Sequence, residues 1–369
     1  MGEVVLADAG EASSLPAAIH SMPLAQSRTR RACSSSASGE AAREAAEGAE
    51  ALRVASAARH LVVFSGAGLS CSAGLSSFSE PGGLYERARR RYQLDHGVRL
   101  FYASFFARSR RQCQAFLADV FEEASAARPT RAHAALAALH ADGRLLRHVT
   151  LNIDGLHRHN LSLWSAEQPL GATMEMHGCV REAVCQACAA VVSMGHELAH
   201  AFRSGTQPRC TSATCAADAG ALLRPRVLLY DDKEERLIVP LGFEAELARD
   251  LASADCVLWV GISFQQSASV EHFRRVRRML QAAGHSDIAQ VVVNPSADCK
   301  FNLASAVANA STLRLLGALS TADEFLGTLA GVHGSIPKRK RSARDGAACH
   351  QADDVPPLQQ TDEDERAAI

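Results

Sequence analysis

The chain has 369 residues with 39 basic and 40 acidic side chains, and its net charge of −1 excludes a global field that would draw it onto nucleic acid or an anionic membrane. Hydrophobic residues make up 47% and charged residues 21%, a globular balance that argues against wholesale disorder and suits one large domain with a smaller module. No apolar run reaches membrane-spanning length and no signal-peptide core is visible, so the eleven cysteines are read in a reducing, intracellular setting.

Residues 1–45, rich in Ala, Ser and Gly, read as a flexible arm. Arg28, Arg30 and Arg31 would suit a mitochondrial presequence, but Glu3, Asp8 and Glu11 are acidic where such peptides avoid acid. Residues 46–334 alternate strand-sized apolar runs with Ala- and Leu-rich helical stretches. In chain order these are a helix over Ala41–Ala58, the run "HLVVFSG", helices over Arg99–Ala126 and Thr130–Ala141, and the run "HVTLNI". After a break come "VLWVG", a helix over Ser269–Ala283, "QVVVN" and a helix over Thr321–Ala330. Apolar runs with helices between them are the signature of buried parallel strands in βαβ units, which predicts an α/β, Rossmann-like, doubly wound sheet. The stretch from about 179 to 220 breaks the rhythm and reads as an inserted zinc-ribbon or helical module. Residues 335–369 form a tail with a basic run, "PKRKRSAR", and then an acidic one, "TDEDERAAI".

Four motifs carry chemistry. In "LVVFSGAGLS" an apolar strand ends in Gly66-Ala67-Gly68, with a helix expected to start near Ser70. Small residues there let backbone approach a pyrophosphate, which a helix N-terminus would favour. Cys71 stands where the common dinucleotide fingerprint has a third glycine, and a Gly-rich turn is often only a turn. The second strand runs into Asn152, Ile153 and Asp154, placing a polar pair at a strand's carboxyl end, where open sheets bind ligands; Asx residues also simply form turns. His177, before Gly178, has the side chain best suited to taking a proton near neutral pH, although lone histidines are more often structural. Cys185-x2-Cys188 and Cys210-x4-Cys215 frame 21 residues and can close four thiolates around a tetrahedral zinc ion with no open position, so the metal is structural. Cys33, Cys113, Cys256 and Cys349 are assigned no role.

In order, these motifs resemble the sirtuin family over about residues 50–330. "GAGLSCSAG", "NIDGLH" and the "HG" at 177–178 are similar to its first and second NAD motifs and its catalytic histidine motif, and the cysteine pairs to its zinc ribbon. "LRPRVLLY" resembles its substrate-groove strand, and "GIS" and "VVVN" its later NAD-contacting segments. The resemblance implies a Rossmann-like domain beside a zinc module, with NAD and an acyl-lysine peptide meeting in the cleft. It implies that Gly66, Ala67, Gly68, Ser70 and Phe78 line the diphosphate and nicotinamide side. Asn152, Ile153 and Asp154 would hold the nicotinamide ribose and carboxamide, and Gly261, Ser263 and Asn294 would face the adenosine half. His177 would be the general base, assisted by Asn152 and Asp154, and the peptide would add as a strand along Val227, Leu228 and Tyr230.

The chain departs from the family where Ser76, Ser77, Phe78 and Ser79 replace Pro-Asp-Phe-Arg, which removes a cation near the diphosphate. Leu151 and Asp231-Asp232 also stand where Gln and Gly-Glu are usual. The expected activity is NAD-dependent protein-lysine deacylation, chiefly deacetylation. The alternatives are mono-ADP-ribosyl transfer and a catalytically weak NAD-binding chromatin scaffold. Pro337-Lys338-Arg339-Lys340-Arg341 reads as a nuclear import signal, with the cytoplasm as second choice, and histone tails are then the expected partner. Neither a membrane nor sequence-specific nucleic-acid contact is expected.

Overall fold

The computed structural model describes residues 34–215, 221–307 and 313–332. The first part of the expected arm, and the tail with its basic run, lie outside the described residues. In chain order α1 (Ser34–Ala57) leads into β1 (Leu61–Ser65). Next come α2 (Leu84–Arg91), α3 (Ala103–Arg108), α4 (Arg110–Ala126) and α5 (Arg131–Ala141), before β2 (Leu145–Thr150) and β3 (Thr173–Glu175). Then follow β4 (Gly178–Cys185), β5 (Val191–Ser193), α6 (His196–Arg203), β6 (Leu223–Val227) and α7 (Phe243–Ser253). The chain closes with β7 (Cys256–Val260), α8 (Ser267–Ala282), β8 (Ala289–Val293), α9 (Asp298–Ala306), β9 (Leu315–Ala318) and α10 (Ala322–Leu329).

The large sheet is parallel throughout, in the order β3-β2-β1-β7-β8-β9. Its strands are apolar at successive positions because both faces are covered, and side chains alternate between faces with period two. Leu61, Val63, Leu258, Val260, Val291 and Val293 pack on one side with Ala51 and Ala55 of α1, Leu136 and Leu139 of α5 and Leu326 of α10. Val62, Phe64, Val257, Trp259 and Val292 face Leu247 of α7, Phe273 of α8 and Leu303 of α9. The doubly wound expectation holds. β1 pairs with β2 on one flank and β7 on the other, so the winding reverses beside it and the crevice opens at the carboxyl ends of these strands.

A second, antiparallel sheet has the order β5-β4-β6. It is larger than the insertion expected at 179–220, because its core also takes in the helices after β1. Val180, Ala183, Leu223 and Val227 share one cluster with Leu84 of α2, Phe116, Val120 and Phe121 of α4, and Phe202 of α6. The helix expected over Arg99–Ala126 is consequently broken. A 3-10 turn at Gly97–Phe101 and α3 precede α4, and the chain bends at Tyr102 and Ser109, which adopt non-helical backbone angles. α1 likewise begins within the stretch assigned to the arm, at Ser34, and runs on through Ala, Glu and Arg residues of high helix propensity.

Candidate active site

Two backbone loops close on each other beneath the crevice. The Gly66 N–H donates to the Val260 carbonyl and the Gly68 N–H to the Gly261 carbonyl, each at 3.0 Å. A Cβ on Gly68 would stand 2.6 Å from the Cα of Gly261, and Gly261 itself sits at φ +65°, in the left-handed region. Gly66, Gly68 and Gly261 are therefore needed first for the contact between the β1 and β7 loops. The α-helix expected near Ser70 is absent: two 3-10 turns, Ala67–Leu69 and Cys71–Ala73, stand in its place, and α2 starts only at Leu84. Any anion-binding contribution here comes from individual backbone N–H groups, because turns this short carry little macrodipole.

Above this floor the polar residues converge. Asn152 donates from Nδ2 to the Gly66 carbonyl at 3.0 Å and lies 3.4 Å from Ser70 Oγ. Ser70 donates to Asp154 Oδ2 at 2.8 Å, and Asp154 Oδ1 accepts the Leu156 N–H at 2.8 Å. All three are buried, so the network orients each member and leaves little rotational freedom. Ala67, Ser70, Phe78, Asn152, Ile153 and Asp154 line one cavity, together with Val120 and Glu123 of α4. Ser79, where the family carries its arginine, donates to Gln265 at 3.2 Å and so ties the loop before α2 to the loop after β7.

His177 does not line that cavity but is fastened to its rim. Its Nδ1 lies 2.9 Å from the carbonyl of Leu151, the residue before Asn152. A carbonyl only accepts, so Nδ1 carries the proton and Nε2 keeps its lone pair. Burial lowers the His177 pKa and outweighs the Leu151 hydrogen bond, which acts the other way, so the ring is neutral at neutral pH. The backbone carbonyl of His177 accepts the Leu228 N–H at 2.9 Å, linking the imidazole to the end of β6. Facing Nε2 at 3.4 Å is Nε2 of His272 on α8, a residue with no surrounding motif to reveal it in the sequence.

Part of the expected peptide groove is occupied by the chain's own pairing. Val227 is buried and pairs with Gly178 inside the small sheet, while the Tyr230 N–H donates to Phe101 and its carbonyl accepts from Ala103. Tyr230 thus offers no free backbone edge, because the chain itself has taken the position. Ser263 and Asn294 sit at the β7 and β8 ends: the Ser263 carbonyl accepts from Asn302, and Asn294 Oδ1 accepts the Ser296 N–H.

Cys185, Cys188, Cys210 and Cys215 converge as anticipated, with all four sulfurs within 4.8 Å of one another and the Cys185–Cys215 and Cys188–Cys210 separations at 3.6 and 3.7 Å. A tetrahedral ion bound at about 2.3 Å requires sulfur–sulfur edges of roughly 3.8 Å, so the four residues fit zinc. Backbone N–H groups of Cys188 and Ser212 point at Cys185 and Cys210 sulfurs, as thiolate ligands favour.

The Sir2 family model matches residues 66–268. An NAD-dependent protein deacetylase of Haloarcula marismortui is 34% identical over 285 residues, covering 73% of this chain and 91% of that protein. An NAD-dependent protein deacylase 2 of Pseudomonas aeruginosa is 31% identical over 234 residues, covering 62% and 80%. A Sir2 homologue solved as an NAD complex superposes with a TM-score of 0.54 at 21% identity, covering 76% of this chain and 92% of that one. A second solved Sir2 enzyme gives 0.54 at 23%, covering 78% and 97%, and both show the shared fold. With the glycine-floored crevice, the four-sulfur cluster and a family match over more than half its length, this chain belongs to the Sir2 family.

Proposed function

We propose that this chain is an NAD-dependent protein-lysine deacylase, chiefly a deacetylase. The observation that carries the reading is His177: one ring nitrogen is fixed to the carbonyl beside the Asn152–Asp154 turn, and the other presents a lone pair. The relatives from Haloarcula marismortui and Pseudomonas aeruginosa, named as a deacetylase and a deacylase, support it.

When bound, NAD would supply the anomeric carbon that the acyl oxygen attacks as nicotinamide leaves, and the ribose hydroxyl that receives the acyl group as the lysine amine is released. The glycine floor would let its diphosphate approach the backbone closely, and Asn152 and Asp154, the latter oriented by Ser70, would hold its ribose and carboxamide. Phe78 lines the cavity and would present an apolar face to the bound sugar. His177 Nε2 takes the proton of a hydroxyl, and the Leu151 carbonyl stabilises the resulting imidazolium through Nδ1–H. Ser79 supplies no cation, so the diphosphate would rely on backbone N–H groups and NAD would bind more weakly than with an arginine there.

Histone tails are the proposed substrate class and the nucleus the proposed compartment. Both rest on the basic run Pro337–Arg341, a short cationic segment of the kind import receptors read. The test is NAD-dependent deacetylation of an acetyl-histone peptide by wild type beside His177→Ala. Loss of about 10²–10⁴-fold is expected on removing the base. Equal activity removes His177 from its role, and ADP-ribosylated protein in place of deacetylated peptide moves the reading to transfer onto protein.

A further inference from the structure

The His177–His272 pair carries more than the reaction requires. The ring centroids are 5.5 Å apart, tilted at 47°, and the two Nε2 atoms face each other at 3.4 Å. Because His177 Nδ1–H is committed to Leu151, its Nε2 is a lone pair, and two lone pairs facing each other would repel. His272 must therefore carry its proton on Nε2 and donate it. That leaves His272 Nδ1 as a bare acceptor, and this atom is shielded from solvent and has no partner. The geometry points to His272 as a positioning residue that caps the lone pair of the catalytic base in the free enzyme, so that an incoming substrate hydroxyl must displace it.

The surroundings keep His272 in this role. Burial foremost, then His177 and Arg275, hold its pKa down at about 3, so it stays a neutral donor. The Arg275 guanidinium is itself paired with Glu244 of α7 at 2.6 Å, while Glu271 turns to Arg274 and Arg278 on the outer face of α8. From the β2 side the approach is made by His177 and the Leu151 carbonyl that holds it. Protonating His177 while the cap is in place would require His272 to move its hydrogen to Nδ1, an orphaned buried donor. The cap therefore disfavours the imidazolium, and removing it raises the His177 pKa.

This inference rests on the deacylase reading for its kinetic half only. The test is an NMR pH titration of the His177 ring, with wild type, His272→Phe and His272→Gln compared, alongside pH profiles of NAD-dependent deacetylation. In wild type the ring nitrogen shifts should report the proton on Nδ1 of His177 and on Nε2 of His272; the opposite tautomers overturn the cap without any variant. His272→Phe should raise the His177 midpoint by about one pH unit, the size of one net hydrogen bond, and His272→Gln, which keeps an N–H, should restore it. The acid limb of kcat/KM, which reports the free enzyme, should move with the midpoint, whereas the limb of kcat should not, because substrate has already displaced the cap. An unchanged midpoint in His272→Phe, no rescue by Gln, or equal movement of both limbs overturns the inference. Absence of deacetylation by wild type overturns the deacylase reading instead, with the titration still deciding the cap.

Discussion

The parallel sheet and the small antiparallel sheet reach order by different means. In the first, neighbouring strands are buried on both faces and aromatic packing is dense, with Phe64 stacked on Trp259 at 4.3 Å. In the second, β5 is short and largely exposed, and apolar packing comes from α2, α4 and α6 at one end while four sulfurs gather the other. The small sheet thus joins apolar packing from three helices to a metal that would tie its far end, whereas the large sheet is organised by burial alone. Between them lies a buried ion network: Arg158 binds Glu175 of β3 and Glu182 of β4, and Glu182 also accepts from Arg226 of β6. His177, the proposed general base, sits at this seam, held by the large sheet through Leu151 and by the small one through Leu228.

The sharpest way to break this comparison is to remove the metal. Chelation should forfeit apparent binding energy of about 10–16 kcal/mol and expose the β4 amides to hydrogen exchange while those of β1 and β7 stay protected. Simultaneous loss of both would show that the two sheets form one cooperative unit. Next in size, Glu175→Gln should cost about 3–5 kcal/mol in urea unfolding, because it leaves Arg158 buried without its full partner. Burial alone would raise the Glu175 pKa, but hydrogen bonds from His157 and Arg158 outweigh it and bring it from 4.5 to about 2. The Glu175 contribution is thus complete above pH 4.5 and lost as pH falls towards 2, so the gap between wild type and variant should close over that window.

Gly68→Ala tests the floor. Its Cβ meets Gly261 backbone at 2.6 Å, so the two loops must part; about 1–3 kcal/mol of stability and roughly tenfold or more in NAD affinity by calorimetry are the expected losses. Unchanged affinity would mean that the loop contact does not shape the cofactor crevice. The smallest effect belongs to Thr321→Ala, which removes one half of the capping box that starts α10. A cost of about 1 kcal/mol, seen as a fall in Tm of roughly 2–4 °C, is expected because the cap satisfies only one of the helix's first backbone N–H groups.

Much of this was legible in local residue order. β1, β7 and β8 fall on their apolar runs, since a strand buried on both faces favours apolar side chains at most positions, whereas β2 begins three residues before the expected run from His148 and buries Arg147 and His148. The cysteine pairs were legible because a tetrahedral ion demands few ligands at close spacing. The short strands β3 and β9 were not, as they are only three and four residues long and carry little pattern. Nor was the break in the expected helix over 99–126, where a tertiary demand overrode helical propensity so that α4 could cover the small sheet.

The order of residues by itself determined the parallel α/β class, the four metal ligands, and the set of Gly, Asn, Asp and His residues available for chemistry, because these depend on periodicity and spacing within short windows. Tertiary structure alone decided that Gly68 answers to Gly261, that Tyr230 spends its backbone on Phe101 and Ala103, and that His272 meets His177. Those contacts join residues far apart along the chain, and only strand pairing within a sheet and the packing of elements in the folded chain bring their atoms within reach.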